Sequence, residues 1–157
     1  MPSATDNTQR LPVAQRLNAG LSAGQWAFVR WLPFMLLAGL TLGLSTLAPN
    51  GRRPFEVDMH VGLAALQFSL QKAPHIGASA MLGFLGVIGS GRTGWPRALL
   101  FTVLVGLGWE LCQTTVVGHY ARMSDLLPDA LGSLLGCTLA NTTLWTLEPV
   151  VQEPAQP

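Results

Sequence analysis

The sequence predicts an all-α integral membrane protein with about four transmembrane helices in an up-and-down bundle. Hydrophobic residues make up 49% of the 157-residue chain and charged residues only 11%, whereas a soluble domain carries roughly 25% charged residues. The mean hydropathy is correspondingly high, at +0.38. Four apolar stretches, each about as long as a hydrocarbon core is thick, are separated by polar segments.

The N-terminal residues 1–29 form a polar segment, and residues 11–30 could support a short surface helix with Trp26, Phe28 and Trp31 at headgroup level. The first apolar stretch, residues 31–49, predicts helix one. We interpret it as a retained helix, because the polar region before it is long and Pro49 would follow directly after a signal-peptidase cut at Ala48. The Arg-containing, acid-poor N-terminus leaves a mitochondrial presequence as an alternative.

The remaining elements follow from the alternation of apolar and polar segments. Residues 50–60 predict a polar loop, and residues 61–71 are apolar but too short to span, which favours an interfacial or re-entrant segment before helix two. Helices two, three and four are predicted over residues 73–89, 98–118 and 125–147, joined by a turn at 91–97 and a loop at 119–124. The transmembrane domain is therefore 30–147, and the proline-containing tail, 148–157, is expected to be disordered.

The basic residues favour an orientation with both termini in the cytoplasm, because three of them lie tight against helix ends on that side. The predicted inner side carries Arg10, Arg16, Arg30, Arg92 and Arg97, and the predicted outer side carries Arg52, Arg53, Lys72 and Arg122.

Four alternating helices bring the first and third loops to the same membrane face, whichever face that is. Ionisable and amide side chains gather there as a predicted functional cluster: Lys72, His75, Glu110, Gln113, Arg122, Asp125 and Asp129. Their spacing of three or four residues within each helix places each pair on one helical face. The sequence therefore predicts a polar site at one end of the bundle.

Glu110 is the most informative member of this cluster. It lies about seven residues, or roughly 10 Å, before the predicted end of helix three. A charge within the membrane is costly, so this carboxyl group should face the bundle interior, protonated or paired with a neighbouring cation. A buried structural ion pair with Arg122 is the alternative interpretation, and Asp125 and Asp129 could serve only to offset the dipole of helix four.

Small residues four apart predict close packing between helices, either within a tight bundle or at a dimer contact. They are Gly39 and Gly43 on helix one and Gly132 and Gly136 on helix four. The two cysteines, Cys112 and Cys137, lie in apolar stretches without the spacing of a zinc site, so no metal and no cofactor is expected. The net charge of +1 gives no basic face for a nucleic acid.

The order and spacing of these residues resemble the VanZ-like membrane protein family. The resemblance is carried by Lys72-x-x-His75, Glu110-x-x-Gln113, Arg122-x-x-Asp125 and Gly132-x-x-x-Gly136, and it covers about residues 30–147. The chain departs from the family pattern at Gln71, where an acid is frequent, and at Asp129, where Asn is frequent. The resemblance implies a cell-envelope protein of the bacterial cytoplasmic (inner) membrane, related to a protein associated with teicoplanin resistance.

Three functions are compatible with this cluster. The first is a protein that is not, or only weakly, enzymatic and that binds a membrane lipid, such as a lipid-linked envelope precursor, with Arg122, Lys72 and His75 meeting its anionic group. The second is a membrane hydrolase or transferase with His75 or Glu110 as general base, although the sequence has no nucleophilic serine motif. The third is a structural or assembly factor acting as a homodimer or with a membrane-complex partner.

Overall fold

The computed structural model describes residues 22–119 and 121–147. The predictions for most of the polar N-terminal segment and for the tail at 148–157 lie outside the described residues. The elements are α1 (Ala23–Ser45), β1 (Val57–Asp58), α2 (Leu63–Ser69), α3 (Ala73–Ser90), α4 (Trp95–Gln113), β2 (Ala121–Arg122) and α5 (Leu126–Leu147). One 3-10 turn precedes α4 (Arg92–Gly94) and another precedes α5 (Met123–Asp125).

The first helix begins earlier than the apolar stretch predicts. Ser22 and Gln25 form a capping box, in which the Ser22 hydroxyl accepts from the Gln25 amide at 3.3 Å and the Gln25 side chain accepts from the Ser22 amide at 2.7 Å. Such a box satisfies two backbone donors that a helix N-terminus leaves open. The polar start of α1 is therefore set by its cap and not by its hydropathy.

Three helical segments of the described chain are long and apolar enough to cross a membrane: Gly24–Ser45, Ala73–Ser90 and Arg92–Gln113. They correspond to the first three predicted spans, and their length and composition indicate a membrane protein. The fourth predicted span is a helix of 22 residues, α5, but it is not among the segments that are long and apolar enough to cross a membrane. Its hydropathy is lowered by polar residues along its length, among them Asp129, Ser133 and Asn141.

Helix α3 is the centre of the packing, and it runs parallel to α5. A Cβ atom added to Gly136 would lie 1.8 Å from the carbonyl oxygen of Ala80, and one added to Gly132 would lie 2.4 Å from that of Ile76. Gly83 approaches α5 in the same way, with 2.6 Å to the carbonyl oxygen of Ser133. Glycine lets two helix backbones approach closely because no side chain stands between them.

The glycine pair of α1 does not pack in this way. A Cβ atom on Gly39 or Gly43 would meet nothing within 4 Å among the described residues. The buried face of α1 is instead the one that carries Phe34 and Ala38, and Ser45 follows on the same side. Gly39 and Gly43 therefore do not pack against another helix of the described chain, because their face points away from the other helices, and a contact in a dimer stays a prediction for them.

Two predicted loops pair with each other. Val57 is aligned with Ala121 and Asp58 with Arg122 in a short parallel ladder, and the backbone amide of Arg53 donates to the carbonyl of Thr115 at 2.9 Å. The sequence did not predict this pairing. It holds the first and third loops together over one end of the helices, next to α2, which occupies the short apolar segment predicted at 61–71.

The third predicted span, which corresponds to α4, ends earlier than predicted. It stops at Gln113, and the chain then turns through Gly118, whose φ of +89° is in the left-handed region that glycine adopts without strain. Glu110 consequently lies three residues from the end of α4 and not about seven, so its carboxyl group is closer to the end of the bundle than the sequence indicated.

Candidate functional site

The loops and helix ends described above bring the predicted cluster together at one end of the bundle. Lys72 and His75 open α3, and Glu110 and Gln113 close the antiparallel neighbour α4. Arg122 ends β2, and Asp125 and Asp129 lie at the start of α5. Five of the seven side chains are buried: His75, Glu110, Gln113, Asp125 and Asp129.

Lys72 and Asp125 form the first ion pair of the site. The Asp125 carboxylate is fully buried and accepts from the Lys72 ammonium group and from the Ser69 hydroxyl at 2.6 Å. The Ser69 hydroxyl also lies 2.9 Å from that of Ser124. Asp125 therefore links α2 and the start of α3 to the start of α5 through its side chain. A carboxylate that only offset the helix dipole would need neither of these two contacts.

His75 lies at the centre of a second group, deeper in the bundle. Its Nδ1 atom is 3.2 Å from Oδ1 of Asp129 and 3.9 Å from Oε1 of Glu110. Its ring stacks on that of Trp109, with the centroids 4.5 Å apart. Ser79, one turn below His75, donates to the same oxygen of Asp129 at 2.9 Å. The imidazole is thus fixed in orientation by a carboxylate and an aromatic face.

Glu110 contacts Arg122 through the backbone and not through the guanidinium group. Its Oε2 atom accepts from the backbone amide of Arg122 at 3.0 Å, and its Oε1 atom has no hydrogen-bond partner among the described residues. The guanidinium group lies over the ring of Phe68, 5.0 Å from its centroid, with Nε 3.7 Å from Oδ2 of Asp58. The predicted alternative of a Glu110–Arg122 side-chain ion pair is therefore wrong.

Several contributors to the site were not singled out from the sequence, namely Asp58, Phe68, Ser69 and Ser79. One of them had a usable signal. Ser79 lies four residues after His75 on α3, the spacing that places polar groups side by side on a helix, whereas Ser69 ends α2 and is separated from Lys72 by a turn. Asp58 had none, because it reaches Arg122 only through the loop pairing.

A cleft of about 470 Å³ opens beside these groups. Its walls combine apolar and polar side chains, and it is lined by Phe68, Lys72, Pro74, His75, Trp109, Gln113, Gly118, His119 and Arg122. Four members of the predicted cluster thus face one cleft, whereas Glu110, Asp125 and Asp129 lie behind its wall. Such a mixture of apolar surface and a few convergent polar groups is typical of a small-molecule site.

Comparison with known proteins gives the family. The model of the VanZ/LLP1 family matches residues 12–145, which include all the helices described here apart from the last two residues of α5. Neither the curated proteins nor the solved structures gave a match. Because the family model covers most of the sequence, with every residue of the cluster inside the match, the chain belongs to the VanZ/LLP1 family.

Proposed function

We propose that this protein binds a lipid-linked or other anionic amphiphile in the cleft at the end of its helices. The single observation that carries the proposal is the cleft wall itself, where the Arg122 guanidinium group and the Lys72 ammonium group stand beside the rings of Phe68 and Trp109. An amphiphile requires this combination of a cationic group for its head and apolar surface for the start of its chain.

Arg122 is the residue best placed to meet an anionic headgroup. Lys72 is already neutralised by the buried carboxylate of Asp125, whereas the carboxylate that Arg122 meets among the described residues, at 3.7 Å, belongs to the half-exposed Asp58. A guanidinium group also presents its donors in a planar fork that matches phosphate and carboxylate oxygens. In this proposal Phe68 supports the guanidinium plane from below, and Gln113 supplies further hydrogen bonds to the headgroup.

The proposal includes a fourth membrane span, α5. Its polar residues Asp129 and Ser133 are buried, while Leu131, Leu135 and Leu139 are exposed, which suits a helix whose polar face is turned inward and whose leucines face lipid. Its close parallel contact with α3, through Gly132 and Gly136, supports the same depth for both helices. Four spans place both termini on one side, which we assign to the cytoplasm of a bacterium.

A membrane hydrolase or transferase is the second candidate, and one contact favours it. His75 lines the cleft while Asp129 holds its Nδ1 atom at 3.2 Å, the arrangement by which a carboxylate orients a histidine general base. Ser79 does not complete a catalytic triad, because its hydroxyl is directed to Asp129. A substrate or water would therefore have to supply the attacking group.

Native mass spectrometry of the protein released from its own membrane in mild detergent tests the binding proposal. Wild type is expected to retain a defined anionic lipid that Arg122→Ala loses. Arg97→Ala is the matched control, because it removes an exposed arginine at the opposite end of α4 and should keep the lipid. Retention by all three proteins, or bulk lipid only on wild type, contradicts the proposal and favours a structural role for the cluster.

A further inference from the structure

Three buried side chains from three different helices converge below the cleft, namely His75 of α3, Glu110 of α4 and Asp129 of α5. One nitrogen or oxygen atom from each can be chosen so that all three lie within 4.8 Å of one another. Two of the distances are 3.2 Å and 3.9 Å, both measured from Nδ1 of His75. Ligand atoms bound at 2.0–2.1 Å to a tetrahedral metal ion lie ~3.3 Å apart, so small side-chain shifts would suffice to bind an ion.

Two carboxylate oxygens in this group lack a hydrogen-bond partner among the described residues. They are Oε1 of Glu110 and Oδ2 of Asp129, on side chains that are only 6% and 1% exposed. Buried carboxylate oxygens are normally hydrogen-bonded or bound to a metal. The Oε1 atom points towards His75, at 3.9 Å from Nδ1, so an acceptor without a donor is directed into the group.

With both carboxyl groups ionised, the charges of this group are also not balanced among the described residues. Even a fully protonated His75 then carries one positive charge against the two carboxylates of Glu110 and Asp129. The nearby cations are engaged elsewhere, because Lys72 is paired with Asp125 and the Arg122 guanidinium group lies between Phe68 and Asp58. A bound divalent cation would supply the missing positive charge.

We propose that His75, Glu110 and Asp129 bind one divalent transition-metal cation, such as Zn²⁺ or Mn²⁺. An imidazole with two carboxylates suits these ions, whereas Ca²⁺ and Mg²⁺ are bound mainly through oxygen. Gly106 lets the Asp129 carboxylate approach α4, because a Cβ atom at Gly106 would lie 2.8 Å from Oδ2. Three protein ligands leave at least one coordination position for water or for an oxygen of a bound molecule.

The sequence did not indicate this site. Its three ligands are separated by 35 and 19 positions along the chain, far from any compact metal-binding motif. The metal proposal does not depend on the lipid proposal, since none of its ligands is Arg122 or Lys72. The two can therefore be tested on the same protein and can fail separately.

Equilibrium dialysis of detergent-solubilised protein against Zn²⁺ or Mn²⁺, after removal of bound metal with a chelator, tests the site. Wild type should take up one equivalent of at least one ion. Glu110→Gln and Asp129→Asn should weaken that uptake by at least about tenfold, because each removes a charged ligand. Glu56→Gln, which removes an exposed carboxylate from the same end of the protein, should bind as wild type does.

A second measurement on wild type guards against variants that fail to fold. The same ion should raise the midpoint of thermal unfolding of the metal-free protein, because a ligand that binds only the folded state stabilises it. The proposal is overturned if wild type takes up no stoichiometric ion, or if folded Glu110→Gln and Asp129→Asn bind it unchanged. Arg122→Ala should keep the metal even where it loses the lipid.

Discussion

Nδ1 of His75 lies 3.2 Å from Oδ1 of Asp129, and this contact joins the first turns of two helices that run side by side in the same direction. The next contact along the same pair of helices is between Gly132 and the backbone of Ile76, one residue after His75. The distance between imidazole and carboxylate therefore depends on how closely the two backbones approach. In this protein the close approach of α3 and α5 at the packing glycines therefore also sets the contact between His75 and Asp129 in the polar site.

The glycine contact gives the first prediction. Gly136→Ala should lower stability by about 2 kcal/mol or more, since overpacking typically costs 1–3 kcal/mol and the new Cβ would lie 1.8 Å from the rigid backbone oxygen of Ala80. Thermal unfolding in detergent measures the effect. Gly39→Ala is the matched control, because the same change in α1 meets nothing within 4 Å and alanine has the higher helix propensity. Equal midpoints for the two variants would contradict the close approach of α3 and α5.

The sequence predicted where the polar residues lie better than it predicted which of them touch. The alternation of apolar and polar segments predicts that Lys72, His75, Glu110 and Asp129 lie near helix ends. Because successive spans cross the membrane in opposite directions, those ends are expected on the same side. Their partners depend on helix rotation and on the loops. Glu110 meets the backbone amide of Arg122 because the loop after α4 pairs with the loop after α1, and two-residue strands leave no periodic signal in a sequence.

Helix rotation explains why the glycines of α1 do not pack against another helix of the described chain. Gly39 and Gly43 are four residues apart, and so are Phe34 and Ala38, which form the buried face. A membrane helix is apolar all round, because lipid and protein interior are equally apolar, so hydropathy does not tell the two faces apart. On α5 the ambiguity is smaller, since Asp129 and Ser133 mark the side that must turn inward.

The Lys72–Asp125 pair gives a second prediction, in the form of a double-mutant cycle. Lys72→Met should destabilise the protein by about 3–5 kcal/mol, because it leaves the fully buried carboxylate of Asp125 without its counter-charge. Asp125→Asn in the same chain should recover most of that loss, since the amide can still accept from Ser69. Unfolding free energies of wild type, both single variants and the double variant give the coupling, which should be about 2 kcal/mol or more. Additive effects would show that the two side chains do not stabilise each other.

The proposed orientation gives the third prediction, which concerns the side of the membrane that the cluster faces. If both termini are cytoplasmic, the loop after α1 lies outside and the turn between α3 and α4 lies inside. In a Cys112→Ser, Cys137→Ala background, a membrane-impermeant maleimide added to whole cells should then label Pro54→Cys and leave Thr93→Cys unlabelled. Both positions are exposed on the protein surface, so accessibility to the reagent depends on the membrane and not on burial. Lysed cells provide the control, because both variants should then react. If only Thr93→Cys is labelled in whole cells, the orientation is the opposite of the proposed one. The cleft then lies at the cytoplasmic face, and an anionic amphiphile would have to enter it from the inner leaflet.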